Sequence, residues 1–415
     1  MSREIPEGWK SARLGALVEI ERASFNIKEI NSFDSVRLYS LPAFDSGAVP
    51  ENAAGSEVLS NKYRVPTDCI LFSKLNPRIP RVWRVRHEHQ EPALGSTEFW
   101  PLRPKNSNVD LDFLTSFLTS ADFLNSPEIT PASSTNSHQR VDRKAFENFE
   151  ILLPPLHEQR RIAEILSSVD EAIAATRAVI EQTRTVKQGV LERLLTEGIG
   201  HTRFKQTEIG EIPEGWEVKP LGEIAEIDRG KFSVRPRNDP RYFGGDVPFV
   251  QTGDVVSADG RLRRHSQTLN ALGRGVSKVF PAGTILITIA ANIGDTAITT
   301  YPVCCPDSVV GIVPNQGVNT DWLREFLVLQ KPSLDRQATQ NAQKNINLQH
   351  LRPMQIAVPP VDEQREIGRR IQTMNDSISQ NGLELANMQL LKSALMSDLL
   401  TGRKRVTDVL PMAAE

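Results

Sequence analysis

The sequence predicts an α+β protein in which two tandem globular α/β domains are separated by two long helices that pair as a coiled-coil-like rod. Three observations carry this. The chain repeats itself: "EIPEGWKSARLGALVEIER" at 4–22 returns as "EIPEGWEVKPLGEIAEIDR" at 211–229. Each copy closes on Pro-Pro followed by Glu-Gln-Arg, in "ILLPPLHEQRRIAEIL" at 151–166 and "IAVPPVDEQREIGRRI" at 356–371. After each Pro-Pro come about forty proline-free residues with apolar side chains at alternating spacings of three and four.

The first domain is expected over 1–153. Its short β-branched runs, such as "VRLYSL" and "VPTDCILFS", read as strands between Gly, Pro, Asn and Asp turns. "VDLDFLTSFLTSADFL" reads as a helix, with an aspartate at its start and aromatics at helical spacing. A spacer helix is expected over 154–200. Proline suits a first helical turn, where its missing N–H had no partner anyway, and glycine suits the end. Glu158 lies in that first turn, where a carboxylate favours the helix dipole. The second domain, 201–358, mirrors the first: "FPAGTILIT" answers "VPTDCILFS", and "TDWLREFL" answers "LDFLTSFL". A second spacer helix over 359–402 and a tail over 403–415 complete the chain. Each helix would be about 60 Å long. A stripe as narrow as Ile162, Leu166, Val169, Ile173 is poorly stabilised alone, so two matching helices bury each other. The copy offsets run from 205 to 215 and drift only mid-copy, which marks a duplication rather than a solenoid.

Composition bounds the function. The net charge of −2 excludes a chain coated in positive charge, but bases cluster locally. "KLNPRIPRVWRVR" (74–86) and "GRLRRHSQTLNALGRGVSK" (260–278) contain no acid, and "DRGKFSVRPRNDPR" (228–241) adds five bases against few acids. Three cysteines without CxxC spacing exclude a disulfide framework or zinc ribbon and fit a reducing cytoplasm. They sit in apolar, strand-like stretches and read as buried thiols. No run is apolar enough for a membrane span, and "MSREIPEGWK" lacks a secretory core.

Catalytic equipment is missing from the sequence. There is no phosphate loop, H-E-x-x-H, nucleophile elbow or dinucleotide fingerprint. "LPPL" and "VPPV" lack the amide and aromatic of the methyltransferase [ND]-P-P-[YF] loop. His87 and His89 have no third ligand nearby and read as exposed loop histidines rather than a metal site. Trp9 and Trp216, at one place in both copies, read as packing anchors rather than base-stacking platforms.

"IPEGW" then "LG", then "P.G.ILI", "QKNINLQHLR" and "[LV]PP[LV]xEQ" before a long helix resemble the specificity subunit of type I restriction–modification systems, over essentially the whole chain. The resemblance implies that both globular parts are target-recognition domains, each reading half of a split double-stranded DNA sequence. It implies antiparallel helices that space the half-sites and dock two modification subunits. Those partners would carry S-adenosylmethionine; restriction subunits using ATP and magnesium would join them, and this chain would hold no cofactor and catalyse nothing.

Candidate DNA contacts are Lys74, Asn76, Arg78, Arg81, Arg84, Gln139 and Arg140 in the first domain, and Arg261, Arg263, Arg264, Gln343 and Lys344 in the second. Candidate spacer and partner-docking residues are Glu158, Gln159, Arg160, Ile173, Glu363, Gln364, Arg365 and Leu385. The first copy has Asp142 where Asn347 stands in the second, which leaves its local turn open. Two other readings stand beside this one: a specificity subunit of a type IIB-like enzyme, and a protein–protein scaffold with no DNA role. A scaffold would show no salt-dependent DNA affinity.

Overall fold

The structure, a computed structural model, describes residues 5–130, 139–234, 236–290, 292–339 and 345–406. It divides into two compact units, Met1–Arg177 with Leu383–Glu415, and Ala178–Gly382. The division cuts across the long helices, Leu156–Thr196 and Val361–Leu399, so each unit holds one globular domain and part of both helices.

In the first unit a four-stranded sheet runs Val18–Ile20, Phe99–Pro104, Asp68–Ser73, Val82–Arg86 from edge to edge. The run Cys69–Ser73 is buried throughout, which is why "CILFS" shows no alternation. The helix Leu111–Leu118 starts on Asp110, whose carboxylate accepts from the amides of Asp112 and Phe113. A second, five-stranded sheet is made of short strands between residues 24 and 95. The second unit repeats the first sheet strand for strand: Ala225–Arg229, Val309–Pro314, Ile285–Thr288, Thr296–Thr299. It adds one edge strand, Arg261–Leu262, parallel to Thr296–Thr299. Its other main sheet has four strands and a different order.

Each domain is closed by pairing its two ends: Lys10–Arg13 with Glu150–Leu153, and Glu217–Pro220 with Gln355–Val358, both antiparallel. A long helix follows each closure. Within the first unit, Ile162, Ala163 and Leu166 of the first long helix share a core with Leu395, Met396 and Leu399 of the second. Within the second unit, Leu191, Leu194 and Leu195 share a core with Ile367, Ile371 and Met374. In both, the start of one helix meets the end of the other, so the packing is antiparallel. Ile173 is buried in this seam and Leu385 is half-buried.

Asp142 and Asn347 settle into matching turns. Asp142 caps the helix Arg143–Asn148 through the Ala145 amide, and Asn347 stands at the same place before Leu348–Leu351. All three cysteines are buried thiols, and burial pushes Cys69 up to about 12. His87 and His89 differ from expectation: they are half-buried and stacked, ring centroids 4.0 Å apart, with His89 Nδ1 2.9 Å from the Glu91 carbonyl.

Candidate nucleic-acid interface

The Glu-Gln pairs that open both helices are turned inward. Glu158 is 4% exposed and Gln159 is fully buried. Glu158 accepts from the Trp9 indole at 3.0 Å and takes a two-pronged ion pair from Arg405 at 2.8 and 2.9 Å. Glu363 accepts from the Trp216 indole at 2.9 Å, from the Ile199 amide and from His201 Nε2, both at 2.8 Å. Gln159 donates to the carbonyls of Asn108 and Pro154 and accepts from the Asp110 amide; Gln364 donates to Pro359 and accepts from Asn319. These side chains fasten each helix to its own domain. The tryptophans are therefore anchors with a polar handle. Arg160 stays exposed, and Arg365 is exposed in an i,i+3 pair with Asp362.

The DNA candidates separate by sheet end. At the end where the central strand Asp68–Ser73 finishes, two stretches far apart in sequence come together. Leu75 bridges Arg140, the Asn76 amide donates to the Gln139 carbonyl at 2.8 Å, and the Val141 amide to the Lys74 carbonyl at 2.8 Å. Asn76 adopts φ +51°, a left-handed conformation asparagine tolerates, and the Ile79 amide closes a turn onto its carbonyl at 2.9 Å. Pro77-Arg78 forms the tip of that turn, with Arg78 exposed. Lys74, Asn76, Arg78, Gln139 and Arg140 are thus one cluster. Arg140 is held by Glu98 at 2.8 and 3.2 Å, and its guanidinium keeps the Glu98 carboxyl below the usual range.

The other first-domain candidates are committed inside the protein. Arg81 makes a bidentate pair with Asp45 at 2.7 and 2.8 Å. Arg84 bonds Asp68, Asp112 and the carbonyls of Cys69 and Val85, and its side chain is only 16% exposed. Four of the five Arg84 N–H donors are thus engaged within the domain, which ties this side chain to the sheet and the helix start. In the second unit Arg261 pairs with Asp321 at 2.5 Å, the residue matching Asp112 in the first copy. Arg261, Arg263 and Arg264 line a cleft with Gln372, Asn375 and Asp376 of the second long helix. In the first unit Arg86, Asp112, Arg160 and Asp170 line the matching cleft. Arg261 pairs with Ile298, which faces Ile285, so these arginines lie at the other end of their own sheet from Thr288. Gln343 and Lys344 lie outside the described residues.

The second unit's equivalent of the Lys74 loop follows Thr288. Ala290 bridges Asn345, and the Ile346 amide donates to Ile289 at 3.1 Å, as Val141 does to Lys74. That loop carries no base among its described residues 289, 290 and 292–294. Bases reach the same end from elsewhere: Arg229 ends the strand Ala225–Arg229 and Lys231 follows it, while Arg274 lies in the helix Ala271–Gly275 and Lys278 just beyond it. These stretches are visibly basic in the sequence, but their union depends on the tertiary bridge between Phe232 and Ser277.

Both copies match one family model, the type I restriction modification DNA specificity domain, over residues 6–183 and 213–386. The chain belongs to this family. Among the relatives of this specificity-domain protein is a chain described as the MjaX type I restriction enzyme specificity subunit of Methanocaldococcus jannaschii. It is 28% identical over 97% of this chain and 95% of its own length. The MjaVIII specificity subunit of the same organism is 30% identical over 65% of each chain. A solved chain from work on assembly and conformational transition of the type I restriction–modification system superposes with a TM-score of 0.63. Its identity is 20%, covering 97% of this chain and 100% of the other. The S subunit from M. genitalium superposes at 0.59, with 15% identity over 96% and 97% of the two chains. These two likenesses establish a shared fold.

Proposed function

We propose that this specificity-domain protein reads DNA for a type I restriction–modification complex and performs no catalysis itself. Each domain takes one half of a bipartite double-stranded target. The long helices space the half-sites and seat two modification subunits. S-adenosylmethionine enters with those subunits, and ATP and magnesium with the restriction subunits. The complex works in the cytoplasm; no described helix is long and apolar enough to cross a membrane.

The observation that carries this reading is the duplicated specificity domain, with a polar loop cluster at one end of its sheet in the first copy. Phosphate contacts from Lys and Arg fix register, whereas base edges supply sequence. Lys74, Asn76, Arg78, Gln139 and Arg140 offer both kinds of group on one tip. The test is methylome sequencing of a host carrying this chain and its modification partner, with and without residues 208–355 replaced by another member's second domain. A split methyladenine motif in which the swap alters one half alone is the expected result. An active partner producing no split motif would remove the recognition role.

A further inference from the structure

We infer that Arg229, Lys231 and Arg274 of the second unit form a phosphate-backbone clamp for double-stranded DNA, an inference that rests on the DNA-reading function above. Three observations build it. First, two separate stretches are joined here: Phe232 bridges Ser277, and the Ser277 hydroxyl donates to the Lys231 carbonyl at 2.7 Å. Second, Gly230 is wedged against Cys305 and Pro306. An added Cβ would stand 2.3 Å from the Pro306 carbonyl, so only glycine lets the strand pass there. Its neighbours Arg229 and Lys231 are both exposed, as is Arg274.

Third, three carboxylates around this edge are already neutralised. Asp228 is shared by Lys278 and Arg352, Asp307 is taken by Arg237, and Asp239 by Arg241. Arg229, Lys231 and Arg274 have no ion pair among the described residues. Three like charges left together on one surface repel each other, and an external polyanion removes that repulsion. The patch adjoins the end of the central strand at Thr288, through the Gly230 amide on the Val309 carbonyl. That is the sheet end at which the first unit carries its Lys74 loop. The second domain thus grips the backbone with bases from the strand end at Arg229 and from the helix Ala271–Gly275, because its own loop there supplies none.

The test uses the full chain with its modification partner and a duplex bearing its target, measured by anisotropy across a salt series. Each neutralised phosphate contributes about 0.9 to the slope of log affinity against log salt. The combined variant Arg229→Ala, Lys231→Ala, Arg274→Ala should flatten the slope by about 2 to 3, with affinity at 0.1 M salt reduced on the order of tenfold or more. The methylated sequence should not change, since backbone contacts carry no base information. Arg229→Lys with Arg274→Lys should keep the wild-type slope, which separates charge from folding. An unchanged slope in the triple variant overturns the clamp. So does loss of modification-subunit binding at an unchanged DNA slope. A wild-type complex with no salt-dependent DNA affinity would instead bring down the DNA-reading function itself.

Discussion

At the residue scale, Gln159 and Gln364 show why an amide stands second in the helix-opening motif. Each site presents carbonyl oxygen to one end of the side chain, two for Gln159 and one for Gln364, and an amide N–H to the other, which a carboxylate cannot match. Gln159→Glu would press an ionised oxygen against the Pro154 and Asn108 carbonyls in a fully buried site. We expect roughly 3 kcal/mol of destabilisation, seen as a fall in melting temperature on the order of 5–10 °C. His87 gives a pH dependence. Burial foremost, with a smaller push from His89, holds its pKa below the ordinary value, although the Val65 carbonyl works the other way. Its Nδ1 is buried without a partner among the described residues. Above about pH 6.5 the folded and unfolded chains both carry it neutral, and it contributes no slope. As pH falls from there toward the lower folded value, the unfolded chain takes up a proton that the folded one resists, and stability is lost. In His87→Phe the drop in melting temperature between pH 7.5 and 5.5 should shrink; an equal drop in both proteins would clear His87 of the role.

At the scale of elements, the long helices were legible in the sequence because a Pro-Pro start and a 3/4 repeat are local signals. What those signals could not show is that the motif residues after Pro-Pro face inward. That depends on Trp9, 149 positions from Glu158, reaching the same place. The sheets divide in the same way. The buried central strand was visible as an unbroken apolar run, whereas pairing of the Lys74 and Gln139 stretches needed tertiary structure. Arg84 shows the same limit: an acid-free run of bases in sequence says nothing about Asp68 and Asp112 across the fold. For the helix seam, Ile173→Asp should weaken packing beside Met388 and Lys392 in the first unit, where Thr176 and Asp170 hold the partner helix. Its expected outcome is release of modification subunits in size-exclusion chromatography, with the target sequence retained by any complex that survives. A changed target would refute that division of labour.

At the scale of the whole molecule, duplication was the most readable feature and the second-domain contacts the least. The two first-type sheets share strand order, but the accompanying sheets do not. A reader of one copy therefore cannot be transferred residue by residue to the other. Because Gln159 and Gln364 fasten different domains, their variants should act on different halves of the target. Gln159→Glu should blur the first half of the methylated motif and Gln364→Glu the second, read by methylome sequencing of each variant. Equal damage to both halves in either variant would show that the fastening is global.

The closing ribbons, Lys10–Arg13 against Glu150–Leu153 and Glu217–Pro220 against Gln355–Val358, have a further consequence. Entry and exit of each domain lie side by side on two strands joined by main-chain hydrogen bonds, which any sequence without an ill-placed proline can make. A genetic crossover at those two points would graft in a foreign module like a two-pronged plug, leaving the helices and the other module as inherited. New specificities can then arise by shuffling ready-made parts, without waiting for point mutations to rebuild a binding surface.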